Sequence, residues 1–254
     1  MKVLVTFALD AEFAPWRKLR SFRRASVAEW GRWYEAQVGA SEVRVVVTGA
    51  GQFAAQRSAT QVFAWGPAEA CISAGLAGSL RSAYHVGEVL VARAASDPPS
   101  SHLIYSDQQL LSRAVDAGAK RVEKFIVTDH VVSTVAEKQL LSASGDAVDM
   151  ESLYILAAAA HARVPAVAIR SVSDGTERDL PLDFDRIFDE RGEVSVLKVM
   201  RELLARPQRI GGLLRLADQS ERAASALANF LDGYVQEISG DPLERIAKAD
   251  AIAI

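Results

Sequence analysis

Ala166-Val167-Ala168-Ile169-Arg170-Ser171-Val172-Ser173-Asp174 is an apolar, β-branched run that stops at an acid. It reads as a strand, Pro165–Val172, that delivers Ser173 and Asp174 to a crevice, because the ends of such strands open onto the ligand crevice of an α/β sheet. Two other runs end the same way. Val3-Leu4-Val5-Thr6-Phe7 leads into Leu9-Asp10-Ala11-Glu12, and Ala147-Val148 leads into Asp149-Met150-Glu151-Ser152. Three carboxylates converging on one crevice are costly unless chemistry or a polyhydroxylated ligand uses them. Taken singly, each has a plain structural reading: Glu12, Asp149 and Glu151 favour helix N-termini, and Asp174 caps a turn with Gly175.

Strand and helix patterns alternate outward from these motifs. Lys2–Ala8, Val43–Thr48, Ala70–Ala74, Gly87–Ala94, Val122–Thr128 and Ala147–Met150 read as strands. Asp10–Leu19, Phe53–Trp65, Asp107–Ala117, Ala136–Ser142 and Ser152–Ala162 read as helices. Val27–Trp30 and Trp33–Val38 read as a hairpin turning at Gly31-Arg32. The expected fold is an α/β three-layer sandwich, a mixed central β-sheet flanked by helices, with an added C-terminal helix. That helix is read from Ile210, Leu213, Leu214, Ala217, Ala224, Leu227, Ala228, Leu231, Tyr234 and Val235, which recur at helical spacing over roughly seven turns. Residues 1–205 are expected to form the catalytic domain, and 206–254 a helical extension of it. The apolar stripe must be covered by its own sheet, by a second subunit or by a ligand.

The 254 residues fit one large α/β domain, and a net charge of −3 with both signs interspersed builds no field for nucleic acid. No apolar run reaches the ~18 residues of a membrane span, and Asp10 and Glu12 interrupt the first apolar stretch too early for a signal-peptide core. Cys71, the single cysteine, is expected as a buried strand thiol. The cytoplasm is the expected compartment. Four scattered histidines form no ligand pair, so no metal site is expected, and no G-x-S-x-G elbow marks a serine hydrolase.

Thr48-Gly49-Ala50-Gly51-Gln52-Phe53-Ala54 imitates a dinucleotide-binding turn, but Glu69 precedes the next strand instead of ending it. A tight turn with backbone N–H groups facing a ligand fits better. Ser73-Ala74-Gly75-Leu76-Ala77-Gly78 reads as a second glycine-rich strand end, either a crowded turn or a place where backbone approaches a flat ligand.

These motifs, with Val148-Asp149-Met150-Glu151 and Arg170-Ser171-Val172-Ser173-Asp174, stand in the order and near the spacing of the nucleoside phosphorylase superfamily. The chain resembles most its methylthioadenosine/S-adenosylhomocysteine nucleosidases, over about Met1 to Asp185. The resemblance implies cleavage of the N-glycosidic bond of a purine nucleoside, with a 5′-modified adenosine as substrate and adenine released. It gives Glu12 as the acid that activates water. Met150 and Glu151 lie under and grip the ribose, and Asp174, beside Ser173, protonates N7 of the leaving purine. Val131 and Val132 hold the base by their backbone, where the family usually carries a stacking aromatic residue. Gly75, Leu76 and Ala77 bring backbone close to the ligand. No cofactor is implied, and the family's oligomers point to a homo-oligomer, with a dimer favoured.

The residue types suit that chemistry. Breaking an N-glycosidic bond passes through an oxocarbenium-like state, which wants negative charge near the sugar, a nucleophile below it and an acid for the leaving base. Phosphorylases of the superfamily hold phosphate with arginines after the first strand and before the second glycine-rich motif. Those places read Phe7-Ala8-Leu9 and Ile72-Ser73 here, and Arg17 lies two helical turns on. Water is therefore the expected nucleophile, with phosphate as co-substrate in the alternative. The region from Asp179-Leu180-Pro181 to the long helix is similar to hopanoid-associated phosphorylase-like proteins, which implies a large, greasy 5′ substituent. Two other classes stay open: a nucleoside-binding protein without catalysis, and a nicotinamide-dependent oxidoreductase.

Overall fold

The computed structural model describes residues 1–28, 31–51, 61–63, 66–98, 102–181 and 207–240. Its ten strands are β1 (Lys2–Phe7), β2 (Arg23–Ala28), β3 (Gly31–Val38), β4 (Ser41–Val47), β5 (Ala70–Ser79), β6 (Val89–Ser96), β7 (Ile104–Tyr105), β8 (Lys120–Val127), β9 (Ala147–Asp149) and β10 (Ala166–Asp174). Among the described residues, five α-helices accompany them: α1 (Asp10–Leu19), α2 (Gln108–Asp116), α3 (Val135–Ser142), α4 (Ser152–Ala162) and α5 (Ile210–Ser239). The result is the mixed-sheet α/β sandwich expected from the sequence.

Along β1, Val3, Val5 and Phe7 enter one core while Leu4 enters another on the opposite face. Period-2 side chains on a strand buried on both faces give this division. The first core holds Phe13 and Trp16 of α1, Leu110 and Leu111 of α2, and Leu227, Leu231, Tyr234 and Val235 of α5. The second holds Cys71 and Phe125 with Ile155, Leu156 and Ala159 of α4. Burial pushes the Cys71 thiol up to about 12, which keeps it an inert core group.

The sheet forks at β5. One edge of β5 pairs in parallel with β10 from Cys71 to Gly78. The other edge pairs with β1 only as far as Ser73, and with β9 only from Gly78. Beyond the fork, β5, β10, β6, β8 and β9 close on themselves, while β1, β4, β3 and β2 continue as an open sheet. Ala74 to Ala77 therefore face the gap where β1 and β9 part, a switch point of the kind where α/β folds hold ligands.

Two expectations are corrected here. Gly75-Leu76-Ala77-Gly78 is not a turn but the second half of β5. Gly31 and Arg32 lie in β3, paired with Ala28 and Val27, and so are not the turn of the hairpin. The expected helix Phe53–Trp65 lies largely outside the described residues. The C-terminal stripe divides. Ala223 to Ile238 packs on the chain's own sheet, while Ile210 and Leu214 at the helix start are exposed, Leu214 at 66 %. The α5 hydroxyl of Tyr234 donates to the Leu110 carbonyl at 2.8 Å, and Asp232 pairs with Arg20 at 2.6 and 2.7 Å.

Candidate active site

The unpaired stretch of β5 would leave buried backbone donors unmet, and an acid from the next element meets them. Glu12, in the first turn of α1, accepts from Leu76 N at 2.9 Å with Oε1, and from Ala8 N and Leu9 N at 3.0 and 2.9 Å with Oε2. Gly75 has no side chain for the same reason: a Cβ there would lie 3.1 Å from Glu12 Oε1 and 3.6 Å from Arg170 Nε. Burial raises the Glu12 carboxyl, and its backbone donors and Arg170 pull the other way.

Arg170 is 1 % exposed, in a strand buried along its whole length. Register sets it beside Gly75. Its Nη1 donates to the Ser73 carbonyl at 2.6 Å and the Ile169 carbonyl at 3.0 Å. Its Nη2 donates to the Ser73 hydroxyl at 3.2 Å and pairs with Asp149. Only Nε lacks a protein partner among the described residues. Asp149 also accepts from Ser152 N at 3.1 Å and from the Ser152 hydroxyl at 2.9 Å, which seats the start of α4.

Glu151, next in the cluster, accepts from Gly51 N at 3.0 Å. Gly51 has φ +90°, a conformation suited to glycine, so the turn after β4 presents its N–H to this carboxylate. Burial pushes Glu151 up to about 8, and the charges of Asp149 and Glu12 add to burial while Arg170 opposes it. Three acids share one guanidinium, which leaves the cluster with more negative charge than Arg170 offsets.

Asp174 stands at the other end. A β-bulge between Val172 and Asp174 breaks the register with β5 and sets Asp174 beside Gly78. Its Oδ1 accepts from the Ser173 hydroxyl at 2.6 Å, and its Oδ2 pairs with Lys138. The following loop is clasped to the segment before α3, with Leu180 N donating to the Ser133 carbonyl at 2.7 Å and Val135 N to Asp179 at 2.7 Å.

A cavity of about 310 Å³ joins the two ends. Its walls include Glu12, Leu76, Ala77, Val131, Val132, Met150, Glu151, Ser173 and Asp174, so nine of the ten residues singled out from the sequence meet in one space. Gly75 stands one step back, against Glu12 and Arg170. Neither Val131 nor Val132 uses its backbone N–H or C=O in a hydrogen bond among the described residues. Leu9, Leu180, Leu216 and Ser220 also line the cavity, the last two from the N-terminal half of α5. Arg17 points away, over the rings of Phe13 and Tyr34.

A sequence profile described as the phosphorylase superfamily matches residues 4–205. The chain belongs to the phosphorylase superfamily. Solved structures of superfamily-like fold are similar along nearly their whole length. A futalosine hydrolase variant from Helicobacter pylori superposes with a TM-score of 0.71 at 18 % identity, covering 93 % of this chain and 99 % of that one. The methylthioadenosine/S-adenosylhomocysteine nucleosidase of the same organism, with 5′-methylthioadenosine bound, gives 0.72 at 18 %, covering 93 % and 98 %. An S-adenosylhomocysteine nucleosidase from Streptococcus pyogenes gives 0.72 at 16 %, covering 93 % and 97 %. A match over 93 % of the chain leaves out fewer residues than α5 contains, so part of that helix is common to these folds.

Sequence reasoning missed Arg170, Asp149 and Lys138 as parts of the site. The strand around Arg170 carried a usable signal, since an arginine inside an otherwise apolar strand needs a buried partner. The place before Gly75 that looked empty of arginine is thus filled from β10.

Proposed function

We propose that this phosphorylase-superfamily member is a nucleosidase that hydrolyses the N-glycosidic bond of a 5′-modified adenosine and releases adenine. The observation that carries the reading is the state of Arg170. Its guanidinium fork is spent on Asp149, Ser73 and Ile169, and only Nε–H remains. Phosphate recognition favours a free fork, and the neighbouring carboxylates of Glu12, Asp149 and Glu151 repel a dianion. One N–H beside the Glu12 carboxylate suits a water molecule.

In this reading the ribose lies over Met150, and Glu151 accepts from its hydroxyls. The base lies between the β5 backbone at Leu76-Ala77 and the free backbone groups of Val131 and Val132. Water adds to C1′ and gives a proton to Glu12. The C1′–N9 bond breaks with its electron pair on the purine, and N7 takes a proton at Asp174. Positive charge arising on the sugar meets the carboxylates of Glu12, Asp149 and Glu151, which a single guanidinium offsets only in part. The cluster is therefore more complementary to the transition state than to the neutral substrate.

Leu9, Leu180 and Leu216 add apolar side chains to the cavity wall, which suits a large, apolar 5′ substituent, as in an adenosylated triterpenoid. The exposed Ile210 and Leu214 at the start of α5 lie close to it in sequence and suit a homodimer interface beside the pocket. No helix of the described residues is long and apolar enough to cross a membrane. Adenine release across adenosines with 5′-hydroxyl, 5′-methylthio and 5′-long-alkyl groups tests the proposal. The account expects kcat/KM to rise with the apolar size of the substituent. Release of adenine from none of them would reject the nucleosidase, and preference for plain adenosine would reject the apolar 5′ pocket.

A further inference from the structure

Helix α3 buries a charge and exposes a leucine. Lys138 is 0 % exposed and Leu140, two residues on, is 79 % exposed. Lysine is among the residues least often buried, and a buried ion pair is a poor way to stabilise a fold. Leu141 packs against the cluster of Leu80, Ile126, Val132 and Val148, but no apolar residue of this helix is fully buried. Lys138 is its only fully buried residue, and its Nζ reaches Asp174 Oδ2 and the Gly175 carbonyl, the latter at 2.6 Å. The remaining anchors lead to the same place. Thr134 caps Glu137 N at 3.2 Å, Glu137 holds His130 at 2.6 Å, and Val135 N is tied to Asp179 in the loop that follows Asp174. On the strand side, a Cβ at Gly78 would lie 3.1 Å from Asp174 Oδ2 and 3.5 Å from Lys138 Nζ, so β5 keeps room for the pair.

Asp174 lines the cavity and Lys138 does not. The ammonium sits behind the acid, out of reach of a substrate. A carboxylate paired with an ammonium has no proton to give, yet a purine leaves well only if N7 gains one. Ser173 supplies a neutral hydroxyl to Oδ1, so Lys138 is the cationic proton donor touching Asp174 among the described residues.

We propose that Lys138 is a positioning residue that supplies, through Asp174, the proton taken by the leaving purine. The inference rests on the nucleosidase reading. A proton passes from Nζ to the Asp174 carboxylate, and the carboxylic acid so formed passes its proton to N7 as C1′–N9 breaks. The products of the step are neutral purine, the Asp174 carboxylate and a neutral Lys138 amine, which regains its proton from water after release.

The test compares two leaving groups in the full chain: a purine riboside, which needs the proton, and 4-nitrophenyl riboside, whose phenolate departs without one. Lys138→Met is expected to lower kcat on the purine riboside by ~10²-fold and to change the nitrophenyl riboside far less. Lys138→Arg keeps a cation but holds its protons too tightly to supply one, and is expected to show the same split. An equal fall on both substrates, or restoration of the purine rate by arginine, would assign Lys138 a purely structural or electrostatic part and overturn the proposal. If Lys138→Met is inactive on both because it does not fold, the arginine variant decides alone. Wild-type protein inert on both substrates would remove the nucleosidase reading and this inference with it. Wild-type activity with an unchanged ratio in both variants would remove only the role of Lys138.

Discussion

The two ends of the cavity each bury a cation, and they bury it differently. At the sugar end, Arg170 faces three carboxylates, and nearly all of its N–H groups are committed. At the base end, Lys138 faces one carboxylate, Asp174, in a balanced pair. An arginine cannot give up its proton under ordinary conditions and a buried lysine can. The difference sorts the chemistry. In the proposed reaction the Arg170 end holds an excess of negative charge, which a cationic sugar would relieve. The Lys138 end holds a balanced pair, whose proton a departing base would take.

The largest effect expected from this comparison separates the ends by substrate. Asp174→Asn should lower turnover of a purine riboside by ~10²–10⁴-fold while sparing 4-nitrophenyl riboside, because only the first needs an acid. Glu12→Gln should lower both alike, because activation of water is common to them. Steady-state rates on the two substrates check this, and a Glu12 variant that discriminated between leaving groups would erase the distinction.

A smaller effect is expected at Glu151, which acts on the sugar alone. A charge-assisted hydrogen bond to a ribose hydroxyl contributes roughly 1.5–3 kcal/mol. Glu151→Gln should therefore reduce kcat/KM for ribosides by about 10- to 100-fold more than for 2′,3′-dideoxyribosides. Equal losses on the two series would take Glu151 away from the hydroxyls.

The smallest effect concerns pH, and it opposes stability to activity. Glu151 is raised to about 8 and Glu12 is raised as well, both chiefly by burial. A carboxyl raised in the fold stabilises it fully below the unfolded value, and that contribution is lost as pH rises through the folded value. The Tm of the ligand-free protein should fall by about 5 °C between pH 5 and pH 9, and Glu151→Gln should flatten the slope. Activity should run the other way on its acid side, since Glu12 must be ionised to accept a proton from water. Its limb should lie above the ordinary carboxylate range. A Tm that rose with pH in the wild-type protein would contradict the excess of negative charge at the sugar end.

How far these ends can be read from the sequence follows from what kind of signal each residue leaves. Glu12, Glu151 and Asp174 are legible because each follows an apolar run, and a carboxylate at a strand end has few cheap explanations. Gly75 and Gly78 are ambiguous. A glycine that relieves a turn and a glycine that makes room for a neighbour's carboxylate look alike until the neighbour is placed, and Glu12 and Asp174 come from 63 positions before and 96 positions after these glycines. Lys138 is hidden for the opposite reason. In Val135-Ala136-Glu137-Lys138-Gln139-Leu140-Leu141 the leucines look like the core face and the lysine like the solvent face, whereas Lys138 is buried against Asp174, on the side where Leu141 packs, and Leu140 is exposed. Long-range charge pairing overrides local pattern there, and no window of sequence contains both partners.

The account's central claim is that the spent fork of Arg170 leaves room for water and none for phosphate. Product analysis in ¹⁸O-labelled water with saturating inorganic phosphate tests it most directly, using a 5′-alkylthioadenosine as substrate. The expected result is free sugar carrying the label at C1, at a rate indifferent to phosphate. A sugar 1-phosphate without label, formed at a rate proportional to phosphate at low concentration, would contradict the account.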